Sequence, residues 1–404
     1  MSKLLEQIKN TKTTKKLGDL VLINQSSITN GFSYREIEYI DTASVTRNHF
    51  NRPQILNINE APSRAKRLLK DGDTILSTVR PSLCHYGFIK NPKPNTVAST
   101  GFAVLTPKNI DPFYLYSYLT QDSITATLSS IAEATTTTFP AFRPEVLSEM
   151  EIEIPDLPTQ KKIAEILSAY DTKIENNNKI IKNLEATAQA IFNEWFINFR
   201  FPGYEKVKMV ESEMGEIPKG WSIKKVSELF TVTLGGTPSR DKSEYWSGKI
   251  PWINSGEVNK LRIIEATEHI TDEGLRKSNA RLMNSGTTVL AITGATLGQV
   301  SRLEIESSAN QSVVGVYDEE NKLNEYMFLY IKSNIMDLIL GASGGAQQHI
   351  NKQMVENYKI TLPGRDIILK FTKVVNPMFK LIRECLFENK NLKESRDQLL
   401  VKLI

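Results

Sequence analysis

Side chains able to read or neutralise a nucleic acid recur in the polar loops of this chain. Arg80 stands in "STVRPSLCHYG" (Ser77 to Gly87), Arg143 in "EATTTTFPAFRP" (Glu133 to Pro144) and Arg240 in "TLGGTPSRDKSEYWSGKIPWINSGEV" (Thr233 to Val258). Gln299 lies in "TGATLGQVS" (Thr293 to Ser301) and Gln347 in "GASGGAQQHINKQ" (Gly341 to Gln353). A guanidinium fork matches guanine, a carboxamide matches adenine, and both reach phosphate oxygens. These five residues are therefore expected to touch bases or phosphates. Arg47, Lys249 and Lys352 are expected on phosphates, while Trp246 and Trp252 are expected to brace their loop. Loops rich in Ser, Thr and Gly are also ordinary turns, and for any single loop that plainer reading is as good. It weakens when corresponding loops in two halves share this composition but differ in their side chains.

Catalytic chemistry finds no comparable foothold. The sequence has no Walker-type glycine loop and no G-x-G-x-x-G after a strand pattern. His49, His85, His269 and His349 form no metal-binding pair, so each is read as solvated or locally bonded. Glu149, Glu151 and Glu153 alternate as one strand face does, and a solvated face is the plainer reading than a metal site. Cys84 and Cys385 match no zinc or redox spacing and are read as buried thiols.

The elements that must carry these loops occur twice. "DGDTILSTVRP" (Asp71 to Pro81) matches "NSGTTVLAITG" (Asn284 to Gly294), and "STGFAVLTP" (Ser99 to Pro107) matches "NQSVVGVYD" (Asn310 to Asp318). "DPFYLYSYL" (Asp111 to Leu119) matches "LNEYMFLYI" (Leu323 to Ile331), and "EIEIP" (Glu151 to Pro155) matches "YKITLP" (Tyr358 to Pro363). Pro363 follows Pro155 by 208 residues and the other blocks are offset by roughly 210 to 214. Four blocks in one order at near-constant spacing mark a tandem duplication. In each half a strand-rich globular domain precedes a long helix.

Both helices carry a heptad seam. In the first it runs Ile163, Leu167, Tyr170, Ile174, Asn177, Ile181, Leu184, Ala188, Ile191, Trp195; in the second it runs Phe371, Val375, Met378, Ile382, Cys385, Asn389, Leu392, Arg396, Leu399, Leu403. Steps of four and three predict a coiled coil rather than two separate core helices. Each helix is expected to span about 40 residues, or ~60 Å at 1.5 Å per residue. They are expected to pair antiparallel into a rigid rod with a domain at each end, related by a pseudo-two-fold. Pro377 is expected to bend the second helix or delay its start. Asn177 falls on the seam and is expected to meet the segment from Cys385 to Asn389, fixing register at some cost in stability. An apolar residue at position 177 is accordingly expected to raise stability.

The chain has 404 residues, enough for two or more domains, and a formal net charge of +4 that permits an anionic partner without demonstrating one. At 40% hydrophobic and 24% charged it reads as a globular protein, and no run suggests a signal peptide or membrane span, so a soluble, cytoplasmic location is expected. The expected division is a domain over 1–157, a helix over 158–200, a polar connector over 201–220, a second domain over 221–362 and a helix over 363–404.

Several segments resemble the specificity subunit of Type I restriction-modification systems (HsdS). They are "PDLPTQKKIAEILSAYDTKIENNN" (Pro155 to Asn178), "AIFNEWFINFRFPG" (Ala190 to Gly203), "EMGEIPKGW" (Glu213 to Trp221), "GGTPSR…YW.GKIPW" (Gly235 to Trp252) and "TGATLGQVS…ANQSVVGV". The resemblance extends from about Leu17 to the C-terminus. It implies two target-recognition domains of mixed α/β fold, each reading one half of a bipartite, asymmetric DNA target in the major groove. It implies that the antiparallel helices set the spacer. It further implies docking of methyltransferase subunits that use S-adenosylmethionine and of ATP-driven, Mg-dependent restriction/translocase subunits, with no cofactor and no catalysis in this chain. The second repeat departs from the pattern at "LPGRDIILKF", where the first has "IPDLPTQKKI". The remaining alternative is a coiled-coil interaction scaffold that does not act on DNA.

Overall fold

The computed structural model describes residues 2–29, 31–135, 140–320, 322–341 and 349–404. The chain divides into two compact units, one of Met1–Ile174 with Asn391–Ile404 and one of Glu175–Lys390.

The first unit is built on two four-stranded sheets. One has the order Gln54–Asn57, Glu36–Ile40, Thr96–Ser99, Ala65–Leu68; the other has Val21–Ile23, Phe102–Pro107, Thr74–Ser77, Tyr86–Phe88. A ribbon of Thr13–Lys16 against Glu151–Ile154 completes it. The helix Pro112–Leu119 follows the repeated strand because Asp111 caps it, accepting from the Phe113 and Tyr114 N–H groups, and Pro112 fills the first turn. Leu105, Tyr114 and Leu115 pack in one core with Ile163 and Leu167 of the first long helix and Leu403 of the second.

The second unit repeats this plan strand by strand. One sheet has the order Glu268–Ile270, Trp246–Ile253, Ser307–Ala309, Leu282–Met283. The other has Thr231–Leu234, Val313–Tyr317, Thr288–Ala291, Val300–Leu303, with Arg262–Ile263 added at its edge. The single parallel pairing of the first sheet, Thr96–Ser99 with Glu36–Ile40, recurs as Ser307–Ala309 with Trp246–Ile253. Ser222–Lys225 pairs with Lys359–Leu362 as Thr13–Lys16 pairs with Glu151–Ile154. The duplication read in four sequence blocks is thus a duplication of sheet order and pairing sense.

The two long helices run over Leu157–Phe192 and Arg365–Leu403, 36 and 39 residues. The first ends in a π-helical turn, Asn193–Ile197. Every expected seam position is buried or half-buried. Within the second unit the helices are antiparallel: Asn177 meets Asn389, and farther along Phe196 and Trp195 meet Phe371 at ring separations of 4.8 and 5.9 Å. Within the first unit Arg396 Nη1 donates to Asp171 Oδ1 at 2.6 Å. Each polar break in the second seam therefore has a polar partner in the first helix.

Two expectations change. The second helix does not start late: it is helical from Arg365 and continues through Pro377, which stands on the exposed face. A proline ring turned outward leaves the freed carbonyl within reach of water, which lowers the cost of the interruption. The second concerns Asn177, 1% exposed, whose Nδ2 donates to Asn389 Oδ1 at 3.0 Å and to Glu388 Oε2 at 2.7 Å. Asn389 Nδ2 in turn donates to Asn178 Oδ1 at 2.9 Å. Apolar replacement of one member would strand the other inside the seam. The connector holds a hairpin, Met209–Ser212 with Gly215–Pro218, turned at Gly215 with φ of +90°.

Asn177→Leu alone should therefore lower the melting temperature, by an amount worth about 1–3 kcal/mol for one stranded buried amide. Asn177→Leu with Asn389→Leu should restore it to wild type or above. Thermal unfolding of both variants checks this, and a stabilised single variant contradicts the amide layer.

Candidate nucleic-acid interface

In the first unit the three predicted arginines converge on one loop cluster. The Arg80 N–H donates to Pro140 O at 2.7 Å and the Phe142 N–H to Thr78 O at 3.0 Å, so Arg80 and Arg143 sit on adjacent strands of chain. The Arg47 N–H donates to Cys84 O at 2.9 Å, and the Asn48 N–H to Tyr86 O at 2.9 Å. All three arginines are exposed, with Arg47 Nη1 3.6 Å from Asp122 Oδ1. Arg47, Asn48, Arg80 and Cys84 have left-handed backbones, with φ between +46° and +63°. Four non-glycine residues in that region within one cluster signal strain of the kind that ligand sites retain. His85 is locally bonded, its Nδ1 lying 2.7 Å from Val45 O.

The second unit rebuilds the same junction with other side chains. The Ile292 N–H donates to Ser312 O and the Ile350 N–H to Ile292 O, as Thr78 donates to Gly101 O and Phe142 to Thr78 O. The loop Thr293–Gln299 occupies the place of the Arg80 loop, beside the turn Ser255–Asn259. Gly298 is required in it: φ is +82°, and a Cβ would lie 2.4 Å from Ile339 Cδ1. Gln299 is half-buried, and its Oε1 finds no partner among the described residues. Gln347 lies outside the described residues.

Next to this junction a hollow of about 870 Å³ opens, lined by Thr237, Asn279, Arg281, Gln311 and Lys352. Thr237 Oγ1 donates to Gln311 Oε1 at 2.5 Å, and Arg281 Nη1 donates to Ala280 O at 2.8 Å. Lys352 is 3.3 Å from Glu356 Oε1. Its wall needs the Gly pair of "GGTP", since a Cβ on Gly236 would fall 2.4 Å from the Asn279 carbonyl carbon. Sequence reasoning missed Arg281, for which no local signal exists. Gln311 had one: it sits between two repeated strands, opposite Thr100 of the first half.

Arg240 and Lys249 do not line this hollow. Lys249 is exposed on the strand Trp246–Ile253. Arg240 stacks 3.6 Å above the Trp246 ring, and its fork is occupied by Glu268, with Nη2 to Oε2 at 3.0 Å. The hydrogen bond from Arg240 holds the Glu268 carboxyl below the usual carboxylate range. Trp252 is buried and donates from Nε1 to Gly236 O at 3.0 Å, and Trp246 donates to Ser239 O at 3.1 Å. The Arg240 side chain is still 53% exposed in this pair.

Among the described residues no group of three His, Cys, Asp or Glu side chains could hold a metal, and no helix is long and apolar enough to cross a membrane. Glu151 and Glu153 are exposed on their strand and Glu149 is bonded to Lys16 at 2.7 Å. Cys84 and Cys385 are buried, and neither is in a disulfide.

A doubled α/β framework with matched but chemically distinct loop clusters is the architecture of a recognition protein with two reading domains. The chain belongs to the family of the Type I restriction modification DNA specificity domain, whose model matches residues 9–186 and again 218–380. As a member of that family it is a DNA specificity subunit with no catalytic activity of its own. It is similar to the Type I restriction enzyme HindI specificity subunit of Haemophilus influenzae, 28% identical over 92% of this chain and 94% of that one. The MjaIX specificity subunit of Methanocaldococcus jannaschii is also 28% identical, over 82% of this chain and 76% of that one. The crystal structure of a Type I restriction-modification S subunit from M. genitalium shares the fold, with a TM-score of 0.61 and 14% identity over 98% of this chain and 96% of that one.

Replacing Arg80 and Arg143 together by alanine should weaken DNA binding and reduce the log–log salt slope by about two, one for each phosphate no longer neutralised. Arg240→Ala should instead lower the melting temperature and leave that slope unchanged. Binding titrations across a salt series, with thermal unfolding alongside, separate the two roles.

Proposed function

We propose that this chain reads a bipartite, asymmetric duplex DNA target, one half-site at the loop cluster of each domain, with the paired helices setting the spacer. The observation that carries this is the repeated junction: the same backbone bonds hold Arg80 and Arg143 in one domain and the Gln299 loop and Lys352 in the other. An identical frame with different donors and acceptors is what two readers of different base sequences require. In the first domain Arg47, Arg80 and Arg143 serve as base or phosphate contacts. In the second, Gln299, Gln347 and Lys352 do so, joined by Arg281 and Gln311 at the hollow, with Lys249 on a phosphate. Asn177 and Asn389 hold the register of the helices, with Cys385 packed in the same seam.

The chain also serves as the scaffold for methyltransferase and restriction/translocase subunits. S-Adenosylmethionine, ATP and Mg are used by those partners, and this chain binds none of them. Its place of work is the cytoplasm, where the DNA lies.

The methylated positions in cells expressing this chain with its methyltransferase subunit test the proposal. One gapped motif of methylated adenine, unequal on its two sides, is expected. Exchange of either domain for that of a relative should change only one side of the motif. Ungapped methylation would overturn the bipartite reading, and the lack of salt-dependent DNA binding would favour a helical scaffold that does not act on DNA.

A further inference from the structure

A network of buried charge joins the second domain to both helices inside the second unit. Arg262, 3% exposed, donates from Nε to Glu185 Oε1 of the first helix at 2.7 Å and from Nη1 to Glu304 Oε1 at 2.6 Å. Arg302 Nη1 reaches both oxygens of the fully buried Glu304 at 2.9 Å, and its Nη2 reaches Glu325 Oε1 at 2.8 Å. From the second helix, Arg383 Nε donates to Glu304 O at 3.3 Å, and the Phe379 ring lies 4.2 Å from the Arg262 guanidinium and 5.3 Å from that of Arg302. Two buried arginines, the half-exposed Arg383 and three carboxylates thus converge from two strands, the helix Asn324–Gly341 and both long helices.

Stability alone does not account for this arrangement. Removing charges from water costs about as much as their attraction returns, so a well-packed apolar cluster serves at least as well. Atoms are also left over: Arg262 Nη2, Arg302 Nε and Glu185 Oε2 find no partner among the described residues. The first domain displays the apolar solution at matching positions. Thr74 opposes Phe88 across its strand pair as Thr288 opposes Arg302, and Phe113 of the repeated helix matches Glu325. Phe88 and Phe113 meet edge to face at 5.3 Å where Arg302 and Glu325 form an ion pair. Ring packing tolerates sliding, whereas forked hydrogen bonds to a fixed carboxylate admit one geometry.

We infer that the network is a positioning device: it fixes the angle of the second recognition domain on its helix segments and thereby the spacer length the protein accepts. Glu185 and Arg262 act as positioning residues. This rests on the reading that two half-sites are recognised across a spacer. One base pair of spacer moves a half-site by about 3.4 Å and turns it by about 35°, so angular play at the anchor translates into tolerance of spacer length.

The test uses the full chain assembled with its methyltransferase subunit, acting on duplexes that carry the wild-type motif with its own spacer or one base pair more or less. Arg262→Lys keeps the charge and loses the fork; Glu185→Gln keeps the size and is the milder change should the first variant fail to fold. Both variants should keep the half-site bases, while the preference for the native spacer falls about tenfold, a tenfold change in relative rate being about 1.4 kcal/mol. An equal loss of methylation at all three spacers in a folded Glu185→Gln complex would overturn the inference, because a merely structural role predicts that. Absence of any gapped motif from the wild-type complex would remove the underlying functional reading instead.

Discussion

A dry amide pair fixes how the two long helices meet. Asn177 and Asn389 are 1% and 5% exposed, and each finds its partner across the seam. A slip by one heptad parts the two amides and sets one of them against Ile382 or Leu184, at a cost of about 1–3 kcal/mol for each group left unpaired. Leucine and isoleucine would accept several registers with little distinction, so the apolar seam supplies the strength of pairing and the amides supply its alignment. In the first unit the ion pair of Asp171 and Arg396 does the same work. Each domain then grows from a helix whose residues are already in register with its partner.

On that alignment the duplicated domains impose a second constraint. The two sheets of each unit meet where Gly101 or Ser312 accepts from Thr78 or Ile292, at the end of the preceding repeat strand, and the recognition loops leave from that junction. Loop sequence is free to vary because the junction is held by backbone hydrogen bonds, which are indifferent to side chains. A frame held in this way can present arginines in one copy and carboxamides in the other without refolding.

Much of this was legible in sequence, for physical reasons that also mark its limit. The heptad steps and the strand blocks are periodic, and period follows directly from helix and strand geometry. The seam positions from Ile163 to Leu403 therefore come through as expected, and so does the location of Asn177 opposite Asn389. What escaped was pairing between residues far apart in the chain. Glu268 occupying the fork of Arg240 and Glu185 meeting Arg262 are long-range choices among many charges, and nothing local distinguishes them. Pro377 does not delay the helix because its cost depends on which face it occupies, and the seam register places it outward. The domain frame itself was legible only as repetition; the parallel pairing of Thr96–Ser99 with Glu36–Ile40 has no short-range signature.

The differences between the copies fall into two classes, and they have different consequences. Loop differences, such as Arg80 against the Gln299 loop, change what is presented while leaving the junction intact. Anchor differences, such as Phe88 with Phe113 against Arg302 with Glu325, lie under the frame where the domain meets the helices. A loop graft therefore moves recognition chemistry alone, because the backbone bonds that hold the loop do not depend on it. A whole-domain exchange also carries an anchor, and an ionic anchor set against helices that lack Glu185 or Phe379 would leave Arg262 with Glu304 but with its Nε donor unpaired. A buried donor left unpaired costs about 1–3 kcal/mol. In the second repeat an exchanged domain therefore fits best on helices that keep Glu185 and Phe379.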